Sequence, residues 1–239
     1  MAVDRGVNYL NWCGHPDGMR DAIRQLGSRR SDVRVAIQFS ARSADAARRE
    51  LKATLAELRT DWIDVATYYY VEHEDEWDEI VAPGGAAEVL EKARAAGTIR
   101  SIGLTSHQRS LAARCAESGR LDLLMIRYNA AHRGAEDDVF PVTNRLQLPV
   151  VAFTCLRWGA LLRKTPDDPD GFMPPSAADC YRFVLANPSV AVALMAPDGC
   201  DELESSLEIL DDWRMPSNAD FQRLCKHGDR VRRHAGHFP

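Results

Sequence analysis

The chain has 239 residues, 45% of them hydrophobic, which is enough for one large domain with a full core. Its net charge of -5 comes from acidic residues spread along the chain, so no basic face argues for nucleic acid or an anionic membrane surface as a partner. No apolar stretch approaches the roughly 18 residues that a membrane span needs, and the N-terminus lacks a basic segment followed by an apolar run; the expected location is the cytoplasm.

Seven short β-branched or apolar runs alternate with longer segments of helical period, the pattern of repeated strand-helix units around a parallel sheet. The strands are expected at Val7 to Trp12, Arg34 to Ser40, Ile63 to Val71, Ser101 to His107, Leu123 to Asn129, Val150 to Leu156 and Val190 to Ala196. After the second run, Ala47, Leu51, Thr54, Leu55 and Leu58 form one apolar stripe, with Ser43 placed to cap the helix. Glu72 to Glu76 reads as a solvated loop of like charges rather than a metal site. Gly84-Gly85 opens the next helix and Gly97 closes it. Helical pattern continues over Gln108 to Ser118 and Ala135 to Leu146. The proline-rich stretch Pro166 to Pro175 is a loop before a helix over Ala177 to Leu185.

A parallel sheet needs both faces covered, and the number of units predicts closure into a TIM-type (β/α) barrel over residues 1–215. Residues 216–239 are expected as a C-terminal helical extension, its Lys226, Arg230, Arg232 and Arg233 turned to water. Only seven strands are recognisable where such a barrel has eight, so the N-terminal strand-helix unit is absent from the pattern. An edge left by that gap calls for a remodelled closure, a homo-oligomeric contact or a tail folded across it. The six cysteines, Cys13, Cys115, Cys155, Cys180, Cys200 and Cys225, have no zinc or iron-sulfur spacing, and no metal is expected.

Several segments resemble the aldo/keto reductase superfamily. Gly6-Val7-Asn8-Tyr9-Leu10-Asn11 is similar to its G-I-N-F-F-D strand, and Leu55 to Asp64 to its L-x-x-L-x-T-D-Y-I-D element. Gly97 to Ser106 resembles G-K-I-R-x-I-G-V-S-N, Tyr128-Asn129 closes a strand as in the family, and Val150 to Phe153 with Gly159-Ala160-Leu161 answers V-x-A-Y and G-x-L. The resemblance implies NADPH-dependent carbonyl reduction by a tetrad of Asp, Tyr, Lys and His, in which a nearby cation lowers the pKa of the proton-donating tyrosine.

Each tetrad position differs here. Asn11 stands for the aspartate, the loop Trp12 to Gly18 holds no tyrosine, Gln38 replaces the lysine and Tyr69 the histidine. At the cofactor positions, Asp198 and Ser206 stand where the family grips the adenosine phosphate with Arg and Asn, and a carboxylate repels phosphate. Thr105, Ser106 and the aromatic Phe153 match the nicotinamide end. No cofactor is therefore expected, or NADP(H) if the family function is retained.

Alternation along the strands points Asn11, Gln38, Thr67, Tyr69, Thr105, Arg127, Asn129 and Cys155 toward the barrel axis near its C-terminal face. Tyr69, with His15 or His107 beside it, is either a proton donor or a hydroxyl satisfied by Asn11 or Gln38. Tyr69, His15, Asn11 and Gln38 form the candidate catalytic set, and Arg127, Trp12, Asn129, Phe153 and Trp158 the candidate substrate set. Arg127 needs an anionic partner, either a protein carboxylate such as Asp17 or a ligand carboxylate or phosphate. Cys13 and Cys155 read as inert thiols. These residues suit acid-base chemistry, elimination, isomerisation or cyclisation, on a small polar or anionic molecule. The alternatives are an NAD(P)H-dependent carbonyl oxidoreductase and, in another class, an inactive binding or regulatory module.

Overall fold

In the computed structural model, which describes residues 1–234 and 236, seven parallel strands follow one another in chain order. They are β1 (Tyr9–Trp12), β2 (Arg34–Phe39), β3 (Ile63–Tyr68), β4 (Ile99–Ser106), β5 (Leu123–Arg127), β6 (Val150–Phe153) and β7 (Val190–Ala193). The fold class is the expected TIM-type (β/α) barrel, with β1 and β7 at the two ends of the strand order. Several strands stop before their expected ends because the backbone turns left-handed there: Tyr70 (φ 46°) follows β3 and Thr154 (φ 53°) follows β6. No helix among the described residues is long and apolar enough to cross a membrane.

The chain forms two compact units, Val3–Met125 and the part from Ile126 onward. The first carries α1 (Gly18–Arg24), α2 (Ala44–Leu58), α3 (Glu74–Val81), α4 (Ala86–Ala95) and α5 (Arg109–Ala116). Ser43 caps α2 by accepting from the Ala46 amide at 3.5 Å, and Ala47, Leu51 and Leu58 bury the expected stripe. Gly85 opens α4 where a side chain could not fit, since a Cβ would lie 2.3 Å from the Ile80 carbonyl oxygen.

The acidic run is not a loop. Glu74, Asp75 and Glu76 form the first turn of α3, where the helix dipole favours negative charge, and Glu76 Oε2 accepts from the Glu72 and His73 amides at 2.8 and 3.0 Å. Among the described residues no group of His, Cys, Asp and Glu is arranged to hold a metal.

The second unit carries α6 (Ala135–Asp138), α7 (Phe140–Leu146), α8 (Ala177–Leu185), α9 (Cys200–Asp211) and α10 (Asn218–His234). The single helix expected over 135–146 is two, because Pro141 at the start of α7 cannot supply the amide that would continue α6. The helix α10 is more than a solvated appendage. Its Arg230 Nε donates to Asp168 Oδ1 at 2.5 Å and its Arg233 Nη2 to Asp167 Oδ2 at 2.8 Å, while the fully buried His227 lies 3.4 Å from Asp168 and 3.0 Å from the Leu161 carbonyl. The acidic residues of the proline-rich loop thus hold the basic helix. Ala235 and residues 237–239 of the expected extension lie outside the described residues.

This clip is pH-dependent. Burial pushes the Asp168 carboxyl up, but hydrogen bonds from the Thr165 amide, Arg230 and His227 outweigh it and hold the group below the usual aspartate value. A depressed carboxyl stabilises the fold above the unfolded aspartate pKa and loses that contribution as pH falls through its folded value. Asp168→Asn is therefore expected to lower Tm at neutral pH, with the gap from the parent protein closing on acidification between about pH 5 and pH 2. A gap that stays constant to pH 2 would contradict the assignment.

Candidate active site

Strand register decides which residues can act together. Asn11 pairs with Ala36, Gln38 with Thr67, and Thr67 with Gly103. Since side chains alternate along a strand, Asn11, Gln38, Thr67, Gly103 and Thr105 share one face at the C-terminal ends of β1 to β4. Crowding confirms this: a Cβ on Gly103 would come 2.8 Å from Thr67 Cγ2. Thr67 is spent on the sheet, its hydroxyl donating to the Ile37 carbonyl at 2.9 Å.

Two polar atoms on this face are buried with no hydrogen-bond partner among the described residues, Asn11 Oδ1 and Thr105 Oγ1. Thr105 is 1% exposed. Leaving such atoms unmet costs about 1–3 kcal/mol each.

Tyr69 follows β3, its amide bonded to the Phe39 carbonyl at 2.9 Å. Its ring stacks on Tyr70 at 4.0 Å, and Tyr70 in turn lies 4.5 Å from His107. Burial first, then a hydrogen bond with Tyr70, pushes the Tyr69 phenol up to about 12. His107 is held by Glu72, whose Oε1 accepts from the His107 amide at 2.7 Å and lies 3.3 Å from Nδ1. Tyr70 carries no role in the sequence reading, and Glu72 appears there only as part of the acidic run. The run Tyr68-Tyr69-Tyr70 was the available signal, but which of the three rings faces the others depends on the left-handed turn at Tyr70.

The remaining first-unit candidates are placed differently. His15 is exposed and serves through its backbone, its carbonyl accepting from Trp12 Nε1 at 2.7 Å. Trp12, 4% exposed, alternates with Asn11 and so lies on the other face of β1. It lines an open cleft of about 520 Å³ with Gly14, Pro16, Arg20 and Glu57, and Gln38 at the end of β2 also reaches this cleft. Asp17 caps α1, accepting from the Arg20 amide at 3.0 Å. Ser106 is committed to its own turn, its Oγ accepting from the Gln108 amide at 2.9 Å. Burial raises the Cys13 thiol pKa, as does the charge of Asp17.

In the second unit, Asn129 is fully buried and holds its own loops: Nδ2 donates to the Thr154 carbonyl at 2.8 Å, and Oδ1 accepts from the Ala131 and His132 amides at 2.9 and 3.0 Å. These bonds shape the loops on either side of it. Phe153 is buried at the end of β6, whereas Trp158 is 66% exposed. Burial pushes the Cys155 thiol up to about 12, leaving it unreactive at neutral pH. Arg127 ends β5. Beside it in charge, and missed in the sequence, is Arg157, which is 2% exposed. An arginine inside the mostly apolar stretch from Val150 to Leu162 was its only signal.

Asp198 precedes α9, whose first turn adds Asp201 and Glu202, and the Asp198 amide donates to Glu202 Oε2 at 3.0 Å. Ser206 is 3% exposed and hydrogen-bonded to Tyr181.

A sequence model of the Aldo/keto reductase family matches residues 1–183. Among solved structures, the holo form of the aldo-keto reductase AKR11C1 from Bacillus halodurans is similar with a TM-score of 0.78 at 19% identity, covering 95% of this chain and 83% of that one. An aldo/keto reductase from Klebsiella pneumoniae in complex with NADP and acetate gives a TM-score of 0.76 at 20% identity, covering 95% and 82%. Another Klebsiella pneumoniae aldo-keto reductase structure, in complex with NADPH, gives 0.74 at 19% identity, covering 95% and 82%. Comparison with curated proteins gives no match.

Proposed function

The chain belongs to the aldo/keto reductase family, and from that membership we propose that it no longer performs the family's tetrad reduction and instead does acid-base chemistry on a small polar or anionic molecule. The observation that carries this is the state of Tyr69. A proton donor in carbonyl reduction needs a cation beside it to lower its pKa, and Tyr69 is shifted the opposite way, to about 12, by burial and by Tyr70. At neutral pH it is a neutral phenol that can donate a hydrogen bond to a substrate oxygen. Asn11 Oδ1 and Thr105 Oγ1 offer further contacts on the strand ends of the same unit, and the imidazole of His107, oriented by Glu72, is the group suited to moving a proton.

The family's cofactor fits this chain only in part. When bound, NADP(H) supplies a hydride, and the buried Thr105 hydroxyl suits a carboxamide. The phosphate end does not fit: Asp198, Asp201 and Glu202 would repel it, and Ser206 is buried against Tyr181. No step of this reading runs through the cofactor. Retained NAD(P)H-dependent carbonyl reduction is the second reading, favoured by Thr105, by the aromatic Phe153 at the end of β6 and by the NADPH- and NADP-bound structures this chain resembles.

The test is to denature the purified protein and identify the small molecules it releases by mass spectrometry. A small polar or anionic compound without nicotinamide is expected, and Tyr69→Phe is expected to weaken its rebinding by about fivefold, one neutral hydrogen bond. Recovery of stoichiometric NADP(H) would overturn the reading.

A further inference from the structure

One guanidinium holds the turn that follows β3. Arg42 lies between β2 and α2 with its side chain 17% exposed, and its fork reaches three separate parts of the first unit. Nη1 donates to the Ser40 carbonyl at 3.2 Å, while Nη2 donates to the Tyr69 carbonyl at 2.7 Å, to the Tyr70 carbonyl at 3.3 Å and to Glu76 Oε1 at 3.1 Å. Arg42 thereby joins the end of β2 and the first turn of α3 to the turn at Tyr70. That turn needs holding. Tyr70 has φ 46°, a left-handed conformation that a residue other than glycine keeps only where its surroundings enforce it. On either side of it, the Tyr69 amide donates to the Phe39 carbonyl at 2.9 Å and the Val71 amide to the Thr105 carbonyl at 3.0 Å. Arg42 takes the two carbonyls between them.

From Glu76 the contacts run on to His107. Glu76 Oε2 accepts from the Glu72 and His73 amides, and Glu72 Oε1 in turn accepts from the His107 amide at 2.7 Å and lies 3.3 Å from its Nδ1. The path returns through side chains, because the His107 ring lies 4.5 Å from Tyr70 and Tyr70 stacks on Tyr69 at 4.0 Å. The contacts close a circuit within the first unit. We propose that Arg42 is a positioning residue for the candidate site: one fork fixes the turn that stacks Tyr69 on Tyr70 and, through Glu76 and Glu72, the place of the His107 imidazole. A lysine could not replace it. An ammonium carries the charge but lacks the planar fork that reaches the Ser40 and Tyr69 carbonyls together. The proposal rests on the acid-base reading only for what Tyr69 and His107 do; recovery of NADP(H) from the protein would overturn that reading and leave the ring positions as they are.

NMR of the full chain at neutral pH, with ring-labelled tyrosine and histidine, tests it. Stacking is expected to shift the ring protons of Tyr70 and His107 upfield in the parent protein. Arg42→Gln is expected to lose most of that shift, and so is Arg42→Lys, although lysine keeps a positive charge opposite Glu76. A lower Tm in Arg42→Gln with the ring shifts unchanged would overturn the proposal, since the residue would then serve stability alone. Full return of the shifts in Arg42→Lys would also overturn it, because charge and not the fork would be the cause. Should Arg42→Gln lose its native circular dichroism, Glu76→Gln decides. Its remaining oxygen can still accept from the Glu72 and His73 amides while the link to Arg42 is broken. A partial loss of the Tyr70 and His107 shifts is expected there, and unchanged shifts would overturn the proposal.

Discussion

Replacing Asp64 with alanine is expected to destabilise the protein by about 3–5 kcal/mol, the cost of breaking a buried ion pair from one side. Asp64 lies in β3 with its side chain 2% exposed. Its Oδ2 accepts from Arg30 Nη1 at 2.7 Å and from the Val35 amide at 3.0 Å, and its Oδ1 from Arg100 Nη1 at 3.0 Å. The Arg30 side chain, 9% exposed, also donates to the Val33 and Trp62 carbonyls and lies 4.4 Å from the Trp62 ring centre. Alanine would leave that guanidinium buried without its carboxylate and the Val35 amide without its acceptor. Urea unfolding should show a lower midpoint with an unchanged slope. Arg30→Met with Asp64→Leu, which removes both charges, should recover much of the loss. A single-variant loss below about 1 kcal/mol would place the pair among ordinary surface ion pairs and contradict this account.

Gly228→Ala is the second large effect, and its sign is the informative part. Alanine in place of glycine within a helix normally stabilises by about 0.5–1 kcal/mol. At Gly228, inside α10, a Cβ would fall 2.0 Å from the Ala130 oxygen and 2.3 Å from its carbonyl carbon. That backbone cannot give way, because Asn129 Oδ1 pins the next two amides and Arg133 Nη1 donates to the Ala130 oxygen. The helix must retreat instead, giving up Arg133 to Asp229 at 2.6 Å and loosening Arg230 and His227 from Asp168. A net loss of about 1–3 kcal/mol is expected, with faster hydrogen exchange confined to α10. An alanine variant as stable as the parent would show that α10 does not approach Ala130 this closely.

These two residues also show where sequence reasoning stops. Asp64 belongs to a segment that resembles the family, and periodicity placed its strand correctly, but the three donors that converge on it come from distant parts of the chain. Gly228 carries no local signal at all: its meaning is the distance to a carbonyl 98 positions earlier in the sequence. The strand order, the Ser43 cap and the Gly85 opening were legible because each depends on alternation, capping or backbone freedom within a few residues. The acidic run at Glu74 was misread because charge composition alone does not distinguish a loop from the first turn of a helix. At the candidate site, Asn11, Gln38 and Tyr69 could be read directly as departures from the pattern the resemblance implies, since residue type alone decides whether a charge is available. The stack of Tyr69 on Tyr70, the hold of Glu72 on His107 and the burial of Arg157 depend on turns with left-handed backbone, which residue type does not announce.

The proposed departure from the family's reaction is tested most directly by titration of the full chain with NADPH, followed by nicotinamide fluorescence and by calorimetry. The expected result is no saturable binding up to about 1 mM, a weakness set by the acidic start of α9 and the buried Ser206. Stoichiometric binding at micromolar NADPH, with oxidation of the bound cofactor on addition of an aldehyde, would contradict it.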